Sequence, residues 1–321
     1  MMNIIRNERG LVLILVLSVV ALFTVMIVNF SADQSFDIEL AYNFRDSIQA
    51  QYLARAGVEA ALVMLDQDDA SYDAEDEEWG GFSEYATMAS SFLDGPLFSG
   101  TLVDEAGKFD LNSLVNQGEE EFRILQFKRL FTLLEIDITD TDLDDLTNAL
   151  MDWLDPDSET IFGAETDYYE TLEVPYICKN GPMDTPEEIL LVKGMKPEYF
   201  YGTEDYEGIQ EYVTVNTGGK ININTATETV LLSISSLVTE DVVASILDCR
   251  PFQELDFSCI VGLDLQENSD EMNYVRQTLD IKSSRFSIET SGLMPSGAQM
   301  NVKAYVERIN NKTRIVYYKI Y

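Results

Sequence analysis

The sequence predicts an α+β protein. One long N-terminal helix crosses a membrane and then packs on a small antiparallel sheet, and a large all-α domain is inserted ahead of the sheet's last strands. Three observations carry that reading. From Leu11 to Ala32 the chain runs without a charge, matching the ~20 apolar residues that span a bilayer as a helix. From about residue 119 the apolar residues fall at helical spacing. Residues 285–291, 299–309 and 313–321 alternate apolar and polar side chains, as half-buried strands do.

The N-terminal element comes first. Arg6 and Arg9 precede the apolar run, and Asp33, Asp37 and Glu39 follow it. The positive-inside rule therefore places the N-terminus in the cytoplasm and everything after Ala32 outside. A secretory signal peptide would have a shorter apolar core and a small-residue cleavage site, which residues 29–32 lack. The helical pattern then continues without a proline through Leu40, Phe44, Ile48, Tyr52, Ala56, Ala60 and Val63. One helix from about Leu11 to about Leu65 would be on the order of 80 Å long.

Residues 66–81 are acidic and read as a loop, and residues 101–114 as two short strands about a turn at 105–108. Phe122, Leu125, Phe127, Leu130 and Leu133 mark the first helix of the insert. A second has Asp140 or Thr141 as its N-cap, and a third runs from Thr185 and Pro186 through Glu188 to Gly194. Asn310, Asn311 and Lys312 form the turn between the last two strands.

Composition narrows the chemistry. The 321 residues are 46% hydrophobic, enough for real cores, and 21 Lys and Arg face 57 Asp and Glu, a net charge of -36. That charge repels phosphate backbones and argues against nucleic-acid binding. Histidine is absent, which removes Ser-His-Asp and Cys-His catalysis and His-ligated zinc, so no enzyme is expected. Cys249 and Cys259 either form a disulfide or pack as two thiols, and Cys178 is left over.

The densest candidate site is the acidic stretch Asp152, Asp155, Asp157, Glu159, Glu165 and Asp167. Carboxylates at alternate positions on a turn can converge on a calcium ion, which takes six to eight oxygens. The spacing is not that of an EF-hand, and a plain acidic loop is the competing reading. Residues 220–257 have the pattern of a helix-hairpin-helix, but the hairpin is Ser235, Ser236, Leu237 and Val238, followed by Glu240 and Asp241. It lacks the glycines whose amides meet a phosphate. Arg250 is expected to pair with neighbouring carboxylates.

Four features together resemble the general secretion pathway protein K family, the minor pseudopilins of type II secretion systems. They are the NERG–LVLIL junction at Gly10 and Leu11, the stretch QAQYLARAGVEAALVML, the segment with Asp152, Asp155, Asp157 and Glu159 ahead of GAETDYY, and a helix-hairpin-helix without its glycines. The resemblance implies a pilin-like fold, cleavage after Gly10 by prepilin peptidase, and methylation of Leu11. Pilins usually carry Glu at the fifth mature position; here it is Leu15, a departure the family shares and one that suits the tip of a pseudopilus. It further implies calcium in the α-domain, minor pseudopilins I and J as partners, an inner-membrane anchor, and a chain mostly in the periplasm.

The expected division is a leader at 1–10, a helix at 11–66 with its span at 11–32, a pilin-like domain from 67–118 and 282–321, and an α-domain at 119–281. The alternative reading is a membrane-anchored helix-hairpin-helix protein of the competence type that binds DNA.

Overall fold

The computed structural model describes residues 8–160, 163–264, 267–310 and 312–321. Helix α1 (Glu8–Gln67) is continuous. Its first half is bare, with Leu11 through Phe30 exposing their large apolar side chains. Its second half lies on a sheet, but not by the face that the spacing suggested. Ala50, Ala54, Val58, Ala61 and Leu65 are buried, while Leu40, Phe44, Tyr52 and Val63 stay more than half exposed. Closeness of approach decides this. A Cβ at Gly57 would stand 2.4 Å from the Phe98 ring and 2.9 Å from Thr290, and the Thr290 hydroxyl donates to the Ala54 carbonyl at 2.8 Å. Only a small-residue face fits there.

After α1, part of the stretch read as a loop instead ends in a 3-10 turn at Glu78–Gly81. Helix α2 (Phe82–Ser90) follows and buries Phe82 and Ala86. Strand β1 (Leu97–Asp104) enters the sheet. The chain then leaves for the insert: β2 (Phe109–Asp110), α3 (Glu120–Leu133), α4 (Asp140–Leu154), α5 (Thr166–Tyr169), α6 (Pro197–Tyr201), β3 (Val213–Thr214), β4 (Ile221–Asn222), α7 (Glu228–Ile234), α8 (Glu240–Cys249), α9 (Asp270–Thr278) and β5 (Leu279–Asp280). It returns as β6 (Arg285–Leu293), β7 (Gln299–Ile309) and β8 (Lys312–Ile320). The main sheet is antiparallel in the order β1-β6-β7-β8. At the last hairpin Asn310 adopts a left-handed φ of 52°, which asparagine tolerates; Asn311 lies outside the described residues.

Three cores result. Between α1 and the sheet, Trp79, Phe82, Phe286, Ile288 and Val302 pack with the small face of the helix. The insert has two. One gathers Phe127, Leu130, Phe131, Leu150, Trp153 and Tyr169. The other gathers the helices α7 to α9 around Val230, Val242, Ile246 and Val275. Phe109, Leu111 and Leu114 sit in the first of these, so the stretch after β1 packs with helices although its sequence groups it with the sheet. Helix α3 serves both insert cores. Phe127, Leu130 and Phe131 face one, while the buried Gln126 accepts from the Tyr274 hydroxyl (2.6 Å) on the other side. Leu125 and Leu133 are consequently turned outward.

Two helix starts differ from expectation. Thr139, one residue early, caps α4 by accepting the Asp142 amide. The stretch from Thr185 forms a 3-10 turn (Pro186–Leu191) in which Thr185 makes no side-chain cap, although Pro186 does stand at its start.

One buried carboxylate joins insert to sheet and another ties the insert to itself. Asp104, at the end of β1, accepts from Ala106 N, Asn222 Nδ2, Thr225 Oγ1 and Ser283 Oγ at 2.6–2.9 Å. Asp110 sits in a nest of backbone amides from Asn112, Asn216, Thr217, Gly218 and Gly219. Each buried acceptor is thus filled, as burial of a charge demands.

Candidate functional site

The acidic stretch becomes a site because α4 stops. Pro156 cannot continue the helix, and Asp155, its C-cap, turns extended. The Glu159 amide donates to Asp157 Oδ1 at 2.8 Å and tightens the turn. Glu165, just before α5, comes back beside it. Oxygens of Asp155, Asp157 and Glu165 lie within 4.8 Å of one another. Gly163 is required here: a Cβ would fall 2.5 Å from Asp152 Oδ2 and from the Asn148 carbonyl.

Asp155 Oδ1, both oxygens of Glu165 and Asn180 Oδ1 are buried and receive no hydrogen bond among the described residues. The Asn180 amide favours the charged form of Glu165 from nearby, but without the geometry of a hydrogen bond. Its Nδ2 instead donates to the Asp157 carbonyl and, at 3.3 Å, to Ser158 Oγ. Burial pushes both carboxyls up, Asp155 with added repulsion from Asp157 and Asp152, and Glu165 with repulsion from Asp152 and Asp155. Buried oxygens crowded together and lacking donors are what a hard cation needs.

Of the six acidic residues singled out in the sequence, Asp152 is buried beside this trio, and Glu159 and Asp167 are exposed and stand apart from it. Residues 161–162 lie outside the described residues. Asn180 carried no sequence signal; it arrives from a separate loop with a left-handed φ of 46°. A second trio with the same closeness, Asp68, Asp73 and Glu77, was also not singled out. Arg308 fills it, pairing with Asp68 at 2.9 Å and with Asp73, while Glu77 accepts from the Ala74 amide and the Trp79 indole.

In the helix-hairpin-helix the anion position is taken. The Glu271 carboxylate accepts from Ser235 Oγ (2.6 Å), Ser236 Oγ (2.8 Å) and the Ser236 amide (3.1 Å), so a protein carboxylate stands where a phosphate would. Arg250 bonds the carbonyls of Ile223 and Ala226 rather than the carboxylates expected of it. Nothing in this arrangement supports DNA binding.

Cys249 and Cys259 are joined, with Cα atoms 6.3 Å apart. Cys178 is free and buried, and burial, with Glu165 nearby, pushes its thiol up to about 11. Gly10, Leu11 and Leu15 all lie on α1, and both leucines are well exposed.

A bare apolar helix that seats its second half on a four-stranded antiparallel sheet, with a helical domain inserted after the first strand, defines a membrane-anchored, pilin-like protein. The family model described as Type II secretion system (T2SS), protein K matches residues 107–215. The chain is similar to Type II secretion system protein K of Aeromonas hydrophila, 26% identical over 238 residues and 68% of each chain. It is also similar to that of Pseudomonas aeruginosa, 28% identical over 238 residues, 71% of this chain and 68% of the relative. Its fold matches, at a TM-score of 0.67 and 16% identity, a chain of the GspK-GspI-GspJ complex from the enterotoxigenic Escherichia coli type 2 secretion system, covering 88% of this chain and 99% of that one. In sequence and in fold the chain is thus similar to type II secretion system protein K.

Proposed function

We propose that this chain is the minor pseudopilin at the tip of a type II secretion pseudopilus, a structural part that starts assembly with minor pseudopilins I and J for protein export across the outer membrane. One observation carries the reading. Helix α1 spends its small face on its own sheet and leaves Phe36, Leu40, Phe44, Tyr52 and Val63 exposed beyond the apolar span. An apolar face of that extent, continuous with a membrane helix, calls for neighbouring helices. Leu15 supports the tip position, since it offers no carboxylate to the N-terminal amine of a subunit stacked above. The charges flanking the span support a cytoplasmic N-terminus; the reading adds an inner-membrane anchor and a periplasmic remainder, an oxidising compartment suited to the Cys249–Cys259 bridge.

Intact mass and N-terminal sequencing of protein from its own membranes test this reading. A chain beginning at methylated Leu11 supports processing by prepilin peptidase; one beginning at Met1 or Met2 removes it. In the same material, unfolding without reductant should expose one reactive thiol, Cys178, and unfolding with reductant all three.

The trio at the end of α4 is proposed to hold calcium, with Asp155, Asp157 and Glu165 as ligands and Asp152 and the Asn180 carbonyl oxygen adding negative potential. The donor set is all oxygen, which suits calcium over zinc. The ion supplies positive charge; the chain's part is to converge buried oxygens and to tie the loop after α4 to α5 and to the Asn180 loop.

A further inference from the structure

The main sheet has two edges and treats them differently. The β1 edge is closed. Ser90 of α2 accepts the Phe98 amide at 2.7 Å and donates to the Phe98 carbonyl at 2.6 Å, occupying the groups an added strand would use. The β8 edge pairs with β7 on one side and, among the described residues, with no strand on the other. Tyr321 exchanges both backbone hydrogen bonds with Asn301, at 2.9 and 3.0 Å. By antiparallel alternation, Ile320 and Tyr318 therefore turn their N–H and C=O groups away from β7. Nearer the hairpin the edge is shut, because the Thr313 amide donates to Asp66 of α1 at 2.8 Å. The open length is thus 315–320, where Ile315 and Val316 are 39% and 41% exposed.

Charge selects what fits there. The chain carries -36, yet residues 282–321 hold seven Lys or Arg against Glu289 and Glu307 alone. Strand β8 contributes Lys312, Arg314 and Lys319 and no acid. Arg314 remains 65% exposed despite its pair with Glu307, and Lys312 78% exposed despite Asp66. A second copy's β8 laid antiparallel would set Lys319 near Arg314 or Lys312, and like charges facing each other across strands repel. A segment alternating apolar and acidic residues meets both the open backbone and the basic side chains. We propose that the β8 edge is a docking site for an extended acidic segment of a partner protein, which adds to the sheet as a fifth strand.

Hydrogen exchange on the full chain in detergent tests the proposal, with a peptide of alternating valine and glutamate as the probe and a valine–lysine peptide of equal length as its comparison. The glutamate peptide should slow exchange at the Tyr318 and Ile320 amides about tenfold and leave Phe98 unchanged. Added salt should shrink the effect. Ile320→Pro removes an outward donor while sparing the ladder to β7, and should abolish it; Lys319→Glu should weaken it, and carries the test alone if the proline variant does not fold. Unchanged exchange, or equal slowing by the lysine peptide, overturns the proposal. So does slowing that grows with protein concentration in the absence of peptide, which would make the occupant a second copy.

Discussion

Two carboxylate trios in this protein each bring their oxygens within 4.8 Å of one another, in different surroundings. Asp68, Asp73 and Glu77 lie as close together as Asp155, Asp157 and Glu165. The first trio encloses the Arg308 guanidinium and takes further donors from the Ser283 and Ala74 amides and the Trp79 indole. In the second, Asp155 Oδ1 and both Glu165 oxygens are buried and receive no hydrogen bond among the described residues, while the Glu159 amide reaches only Asp157. Proximity of acids therefore identifies nothing by itself; the donors around them decide. Where the chain supplies its own cation, the cluster is a joint. Where none is found among the described residues, the cluster is proposed to take an ion from outside.

The comparison can be broken at several points. The largest effect is expected from Arg308→Ala, which leaves a buried carboxylate beside two others; it should cost ~3–5 kcal/mol in denaturant unfolding of the full chain, whether or not calcium is present. Calcium should raise the stability of the native protein by ~2.7 kcal/mol at a hundredfold excess over Kd, read as a shift in Tm that a chelator reverses. Asp155→Asn with Glu165→Gln should erase that shift, whereas Arg308→Ala should retain it. If both variants respond alike, the two trios are not different in kind.

A smaller effect tests the filled hairpin. Glu271→Ala leaves the Ser236 amide and two hydroxyls without their acceptor and should cost ~1–3 kcal/mol, with no duplex affinity gained in a low-salt binding assay.

The smallest concerns pH. Burial, with repulsion from Asp68 and Asp73, raises Glu77 to about 7, and burial raises Asp73 to about 6. An acid raised in the folded state favours folding while protonated, and that contribution is lost as pH rises through its folded value. Tm should therefore fall modestly from about pH 4, where the unfolded carboxyls ionise, to about pH 7, and Glu77→Gln should flatten part of the slope.

Local signals made much of this legible. The apolar run and the alternation of the last three strands each speak through their own neighbours in sequence, and β6, β7 and β8 fall almost where alternation puts them. The acidic turn was legible for the same reason. What sequence could not say depends on distant partners. Arg308 finds Asp68 and Asp73 across more than two hundred residues, Asp110 finds its amides in 216–219, and Asn180 reaches the trio from another loop. The face of α1 was misread because hydrophobic spacing assumes that the larger side chains turn inward. Here the tight seat at Gly57 demands small ones, and the larger residues are left outside.

That seat has a mechanical consequence. Helix α1 contains no proline, and its one conformationally loose interior residue beyond the span, Gly57, is pinned under Phe98 and Thr290. Sixty residues of helix, about 90 Å at 1.5 Å each, are therefore gripped at one end like a lever in a vice. A tilt of about 5° at Gly57 sweeps the far end, about 74 Å away at 1.5 Å per residue, through roughly 6 Å. Motion of the membrane segment should thus arrive at the sheet, and at the helical insert it carries, as a turn of the whole head rather than as bending along the shaft.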